Sequence, residues 1–224
     1  MKLEREGQVV VATMDRGENR FHPDHLAEIE EALDEIEAMD GNPAAVITGE
    51  DRFFSLGLDL DWMGTADPAV AMASVERTMA LLARILTAPF GTVAAVNGHA
   101  FGGGAMLALA CDARVMREDR GYVCFPEVDV DLVFLPGMSA MIAGRLTPQA
   151  AHEAMLRAPA TARPKRSGSG SPTRAAPRMR SWPRPRNGRR RWRARPRQPS
   201  AGSRPDSTAR SSRSSASRSP HELR

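Results

Sequence analysis

Beyond residue 156 the chain has no valine, isoleucine, phenylalanine or tyrosine, and its large apolar residues there are Met179, Trp182, Trp192 and Leu223. A segment of that kind cannot bury enough apolar surface to offset the entropy of ordering it. Cysteine is scarce as well. Cys111 and Cys124 are the only two, which excludes a disulfide framework, shows no metal-ligand spacing and leaves both as expected buried thiols. No uninterrupted apolar stretch approaches the roughly 20 residues that span a bilayer, and the acidic amino-terminal region lacks the basic-then-apolar order of a secretory signal. The expectation is a cytoplasmic protein with no membrane partner.

Charge of one sign is missing from each part of the chain in turn. Residues 1–156 carry 11 Lys and Arg against 25 Asp and Glu, a net of −14, whereas residues 157–224 carry 20 against 2, a net of +18. The overall formal charge of +4 is therefore a cancellation of two unlike parts. Valine, leucine, isoleucine, methionine and alanine concentrate in the first part, which is of one-domain size and can build a core. We read 1–156 as the folded unit and 157–224 as a disordered basic tail.

Within the folded unit, apolar runs alternate with helical periodicity. Residues 8–14, 44–48, 92–96, 113–116 and 122–125 read as strands. Leu26, Ile29, Leu33, Ile36 and Met39 recur at three- and four-residue steps, so 23–39 reads as an amphipathic helix that the Gly41 to Pro43 turn ends. Further helices are expected over 69–86, 136–145 and 147–156, the last with Thr147 as its cap and Pro148 in its first turn. Residues 53–60 show no clear period and read as a loop with an apolar lining. This alternation predicts an α/β layered fold.

Chemistry enters at Asn97-Gly98-His99-Ala100-Phe101-Gly102-Gly103-Gly104-Ala105-Met106, which links the apolar run 92–96 to another at 106–110. Strand, glycine turn and helix in that order leave backbone N–H groups unshielded at a helix start, where the positive end of the helix dipole favours an oxyanion. Close packing of helix on strand would also select glycines. Phe54-Ser55-x-Gly57-x-Asp59 stands about 40 residues earlier.

Together these two motifs, in this order and separation, resemble the crotonase (enoyl-CoA hydratase/isomerase) superfamily over about residues 1–156. The resemblance implies a crotonase-like ββα spiral core and an acyl-CoA substrate held in a pocket involving Ser55, Leu56, Gly57, Asp59, Phe101, Gly102 and Met106. Two backbone N–H groups hold the thioester oxygen in that family; carried over, they belong to Leu58 and Gly103. Proton removal beside a thioester makes an enolate, and two fixed donors stabilise it without reorganising. Family hydratases use one Glu two residues after the glycine triplet and another about 20 residues on, in a Pro-Glu pair. The first position here is Met106, which cannot orient or deprotonate water.

The second position is intact as Pro126-Glu127. Its surroundings are similar to those of the delta(3)-delta(2)-enoyl-CoA isomerases of the plant peroxisomal type, which implies Glu127 as the catalytic base of a double-bond shift in fatty acid oxidation. Another acyl-CoA reaction on the same fold, such as a degenerate hydratase, stays open. No cofactor is implied, coenzyme A being part of the substrate. Asp129 and Asp131 lie in the same stretch, and Asp131 stands where the isomerase-like pattern usually has glycine.

Several other residues admit two readings. His22 and His25 lie one turn apart without a nearby third ligand, so no metal is expected. His99 adjoins the glycine turn and is either a substrate contact or an ordinary loop side chain. Trp62, Met72 and Met79 could line an acyl pocket, although at helical spacing the two methionines read rather as core. Arg189-Arg190-Arg191-Trp192-Arg193 could serve nucleic-acid binding, with Trp182 and Trp192 stacking on bases, and that function is the rival to the enzyme. A third origin fits the tail. Joining the last base of each codon to the first two of the next lets residues 159–173 encode Gly-Asp-Gly-Ala-Pro-Glu-Ala-Leu-Gly-Leu-Gly-Leu-Ala-Asp. That string resembles the segment that follows this helix in crotonase relatives, where C-terminal helices cover the site and build trimers or hexamers. We therefore read 157–224 as out-of-frame translation that replaces those helices.

Overall fold

The computed structural model describes residues 1–117 and 119–156. The basic segment 157–224, with its proposed disorder, arginine run and tryptophans, lies outside them. Alternation of apolar and polar residues builds the central sheet. Strands β1 (Lys2–Glu6), β2 (Val9–Met14), β4 (Ala44–Gly49), β7 (Gly91–Val96) and β9 (Ala113–Met116) lie in the order β1-β2-β4-β7-β9, with β1 antiparallel and the rest parallel. In register, Val10, Ala45 and Thr92 form one inward row, and Ala12, Ile47, Ala94 and Arg114 form the next. Those rows are fully buried apart from Arg114, an arginine where the pattern would place an apolar side chain.

Against this sheet packs α1 (Pro23–Ala38), and α3 (Pro68–Leu86) lies against α1. Leu26, Ile29, Leu33 and Ile36 of α1 are buried as their spacing requires, each contributing about 1.5–3 kcal/mol of apolar transfer. Helix α3 turns Ala71, Val75, Leu81, Leu82 and Ile85 inward, which leaves Met79 partly buried against the core and Met72 on the outside at 55 % exposure. The expected core position of Met72 is thus corrected: the inward stripe passes through Ala71 and Val75 on either side of it. Helix α4 (Gly103–Ala110) is the central element, with every residue buried. Helices α5 (Pro136–Arg145) and α6 (Pro148–Leu156) follow, and the Thr147 hydroxyl caps the latter by accepting from Ala150 N at 3.3 Å.

The 53–60 segment is not a plain loop. It forms β5 (Phe53–Ser55), β6 (Gly57–Leu58) and the start of the single turn α2 (Leu60–Met63). Each is too short to show a period. Parallel pairing fixes them: β5 and β10 (Val123–Cys124) flank β8 (His99–Phe101), while β6 pairs with β3 (Arg20–Phe21). Residues Pro126–Val130 form a 3-10 turn. Cys111 and Cys124 are both buried free thiols, their pKa pushed up to about 12 by burial. Among the described residues no helix is long and apolar enough to cross a membrane, and no three His, Cys, Asp or Glu side chains are grouped to hold a metal.

Candidate active site

Two glycines let the site close. At Gly57 (φ +77°) an added Cβ would stand 2.6 Å from Gly103 N and 2.7 Å from the Phe101 carbonyl oxygen, and at Gly104 it would stand 2.1 Å from the Ser55 carbonyl oxygen. No side chain fits at either crossing, so β6 lies directly against the amino end of α4. Gly57 and Gly103 thereby touch across this contact, and Leu58 follows Gly57 in β6. Gly103 is the first residue of α4, a position whose N–H has no partner within a helix, and Gly102 before it offers no side-chain cap. Behind Gly103 stands the ring of Phe21, which an added Cβ there would meet at 3.0 Å.

Ser55 lies beneath the site. Its side chain is 0 % exposed; the hydroxyl donates to the Asn19 carbonyl at 2.7 Å and accepts from Gly57 N at 3.1 Å. Asn19, fully buried at φ +50°, accepts from Arg16 N and donates from Nδ2 to the carbonyls of Phe53 and Phe54. This residue ties β3 to β5, and motif reading missed it; asparagine's tolerance of left-handed backbone in the turn before β3 was the available signal. Leu56, half-buried, donates its N–H to the Glu18 carbonyl. Asp59 accepts from Trp62 N at 3.2 Å as the cap of α2 and lies 3.6 Å from an Arg20 nitrogen.

Glu127 stands on the other side. Gly102 N donates to the Cys124 carbonyl at 3.0 Å, which seats the Pro126 turn beside the glycines, and a Cβ on Gly102 would be 3.3 Å from Glu127 Oε1. The carboxyl is buried, with Oε2 lacking any hydrogen-bond partner. Burial pushes its pKa up from the ordinary 4.5, partly offset by a bond from its own backbone. The Glu127 carbonyl accepts from Leu132 N at 2.8 Å and from the left-handed Asp131 that ends the turn, so the main chain beneath the carboxyl is fixed. Met106, fully buried, occupies the position two residues after the glycine triplet. Asp129 and Asp131 are exposed.

Other sequence candidates fall elsewhere. His22 caps α1 by accepting from Asp24 N and packs edge-on against Trp62 at 5.3 Å. His25 is fully buried with Nδ1 3.0 Å from the Arg20 carbonyl, and burial lowers its pKa. His99 lies among Phe53, Phe101 and Tyr122 at 5.4–5.8 Å, so Phe101 and His99 turn their rings to each other.

With two convergent backbone elements and one buried carboxyl in place, the likeness to known proteins takes on chemical meaning. The chain belongs to the enoyl-CoA hydratase/isomerase family, which residues 4–173 match. It is 35% identical over 161 residues to the peroxisomal enoyl-CoA delta isomerase 2 of Arabidopsis thaliana, covering 69% of this chain and 67% of that protein. It is 34% identical over 149 residues to enoyl-CoA delta isomerase 3 of the same plant, with 64% and 63% covered. A solved enoyl-CoA hydratase/isomerase family protein of Pseudomonas syringae superposes with a TM-score of 0.63 at 25% identity, over 68% of this chain and 66% of that one. The chain thus spans about two thirds of the length of these relatives.

Proposed function

We propose that the protein is an acyl-CoA isomerase that moves the double bond of a 3-enoyl-CoA to the 2-position. The observation that carries this is the one buried carboxyl among the described residues, Glu127, beside Gly102, with the thioether of Met106 where a hydratase has its other acid. A hydratase must both activate and orient a water; one base can run an isomerisation.

In this reading the thioester oxygen accepts from the N–H groups of Leu58 and Gly103. Ionised Glu127 takes a proton from C2, and the C–H electron pair passes into the C1–C2 bond while negative charge collects on the thioester oxygen. The resulting dienolate collapses as Glu127 returns the proton to C4, so that C3=C4 becomes C2=C3 and the enzyme is restored. Nothing but the side chain and two backbone donors takes part, and coenzyme A enters as part of the substrate. Ser55, Leu56, Gly57, Asp59, Phe101, Gly102 and Met106 belong to the surroundings of this site, Ser55 and Asp59 by holding its backbone and Met106 by keeping it apolar. Losing one oxyanion donor in sites of this type costs about 100- to 1000-fold in rate.

Two further parts of the proposal concern the chain as a whole. Residues 157–224 represent a shifted reading frame, and with that frame restored the protein is a homotrimer or hexamer; sequencing the gene across codons 150–175 tests the first, and the mass of the restored product in solution the second. Cytoplasmic residence is proposed alongside, checked by cell fractionation. The activity itself is tested by the rise in absorbance of a conjugated enoyl thioester when a 3-enoyl-CoA is supplied. Hydration of a 2-enoyl-CoA at a comparable rate would overturn the isomerase reading, and salt-sensitive nucleic-acid binding without turnover would favour the basic segment as the working part.

A further inference from the structure

One residue adjoins both of the proposed oxyanion donors. Phe21, only 1 % exposed, ends β3 and stands opposite Leu58 in the parallel pairing of β3 with β6. Its ring lies against the amino end of α4. A Cβ built on Gly103 would meet Phe21 Cε2 at 3.0 Å and Cδ2 at 3.1 Å, with Gly57 Cα at 3.3 Å. The main chain of Phe21 therefore pairs with the strand of one donor, and one edge of its ring bears on the backbone of the other.

Contact of this kind is stiffer than ordinary core packing. Between two side chains a misfit is absorbed by changes of rotamer, but against a glycine the ring meets main chain directly, and a close-packed interior passes the displacement on. The chain around Phe21 is held as well. Asn19 donates to the carbonyls of Phe53 and Phe54, and the Arg20 carbonyl accepts from His22 N at 2.9 Å with His25 Nδ1 at 3.0 Å. Leu56 N donates to the Glu18 carbonyl at 3.0 Å, which ties the approach to β6 to the approach to β3. The Gly57 crossing supports the start of α4 at one point, about which the helix could still tilt. The ring supplies a second point, and two points fix the direction of the Gly103 N–H.

We infer that Phe21 is a positioning residue that sets the spacing and tilt of the two donors: its backbone fixes the strand that carries Leu58, and its ring is the spacer between that strand pair and the first residue of α4. The inference rests on the proposed acyl-CoA reading of the site. A misplacement of about 1 Å can cost about 100-fold in rate, so a partial shift of one donor is expected to cost about tenfold.

The experiment uses the full chain and a 2-enoyl-CoA labelled with carbon-13 at the thioester carbonyl, followed by infrared difference spectroscopy. In the parent protein the bound carbonyl stretch falls below its solution frequency. Phe21→Leu, which removes the ring edge, is expected to recover part of that fall and to lower kcat on a 3-enoyl-CoA about tenfold with KM within about threefold. Ile36→Ala, on the buried face near the other end of α1, lowers the melting temperature as a core cavity does and leaves the carbonyl frequency at the parent value. Phe21→Met, which fills much of the same space without a flat edge, gives the same change as Phe21→Leu and decides the matter if that variant does not fold. A carbonyl frequency equal to the parent's in the Phe21 variant, whatever the melting temperature does, overturns the inference and leaves the reading of the site intact. So does an equal shift in Ile36→Ala, because general loosening would then account for both. A parent protein that binds the thioester with no shift removes the acyl-CoA reading and the inference together.

Discussion

The two sides of the site are built differently. On the donor side, Phe54, Ser55, Gly57, Gly103 and Gly104 are all buried, the strands cross at glycines, and a serine and an asparagine tie three backbone segments together. On the base side, the Glu127 carboxyl is buried, but the chain beyond it runs outward. Val128, Val130 and Leu132 are 39–50 % exposed and Val133 is 82 % exposed. In the proposed reaction charge stabilisation depends on donors that do not move, and the side proposed to supply them is over-determined. A base needs its proton affinity tuned, and removal from water does that without a rigid lattice of bonds.

The largest expected effect tests the base side. Glu127→Gln should lower turnover of a 3-enoyl-CoA by at least about 1000-fold, in line with loss of general-base catalysis. It should also stabilise the fold at neutral pH. Below the ordinary carboxyl value of 4.5 the group is protonated folded and unfolded, and the native state carries no penalty. As pH rises through the raised native value, the folded protein must hold a buried charge that the unfolded chain keeps in water, and stability is lost. Denaturation curves of variant and parent should therefore converge in acid and separate toward pH 7 with the variant the more stable. In the parent, kcat should climb over the same raised window as the base ionises. Convergence at pH 7 would mean that Glu127 is solvated.

Gly57→Ala probes the donor side and comes next. Its methyl would meet Gly103 N at 2.6 Å with the backbone already at positive φ, so β6 and α4 must separate. A fall in kcat of about 100-fold or more is expected, because both donors move at once. A rate within threefold of the parent would show that the crossing is not where the donors are set.

Ser55→Ala is the milder probe. Losing the hydroxyl leaves the Asn19 carbonyl and Gly57 N without that partner at a fully buried position, at a cost of about 1–3 kcal/mol. A melting temperature lowered by several degrees with KM little changed is the expected result. A large rise in KM with unchanged stability would instead make Ser55 a direct substrate contact.

Much of this arrangement could be read from the chain, and what could not has physical reasons. The long helices and the sheet strands β2, β4 and β7 show their buried faces as periodicity, and the paired glycine motifs mark the donor side because close backbone approach leaves no other residue type available. Strand β1 does not show itself: it is an edge strand of mostly charged residues in which Leu3 alone turns partly inward. The elements at 53–63 are too short for any period and exist through pairing with partners far along the chain. Asn19 acts by bonds to backbone atoms 34 and 35 residues away in sequence. Such atoms have no sequence signature, so their partners become visible only when the chain is folded.

The smallest expected effect bears on the open stretch after the base. Val133→Ser changes a side chain that is 82 % exposed, so stability should move by no more than about 0.5 kcal/mol and turnover should stay level. Its value lies in the contrast with Gly57 and Ser55. If chemical denaturation showed a larger loss, or a loss that grew with protein concentration, residues 128–133 would be covered in solution by another chain. The base side would then be completed by association rather than by its own fold, and the difference between the two sides would be one of partner, not of rigidity.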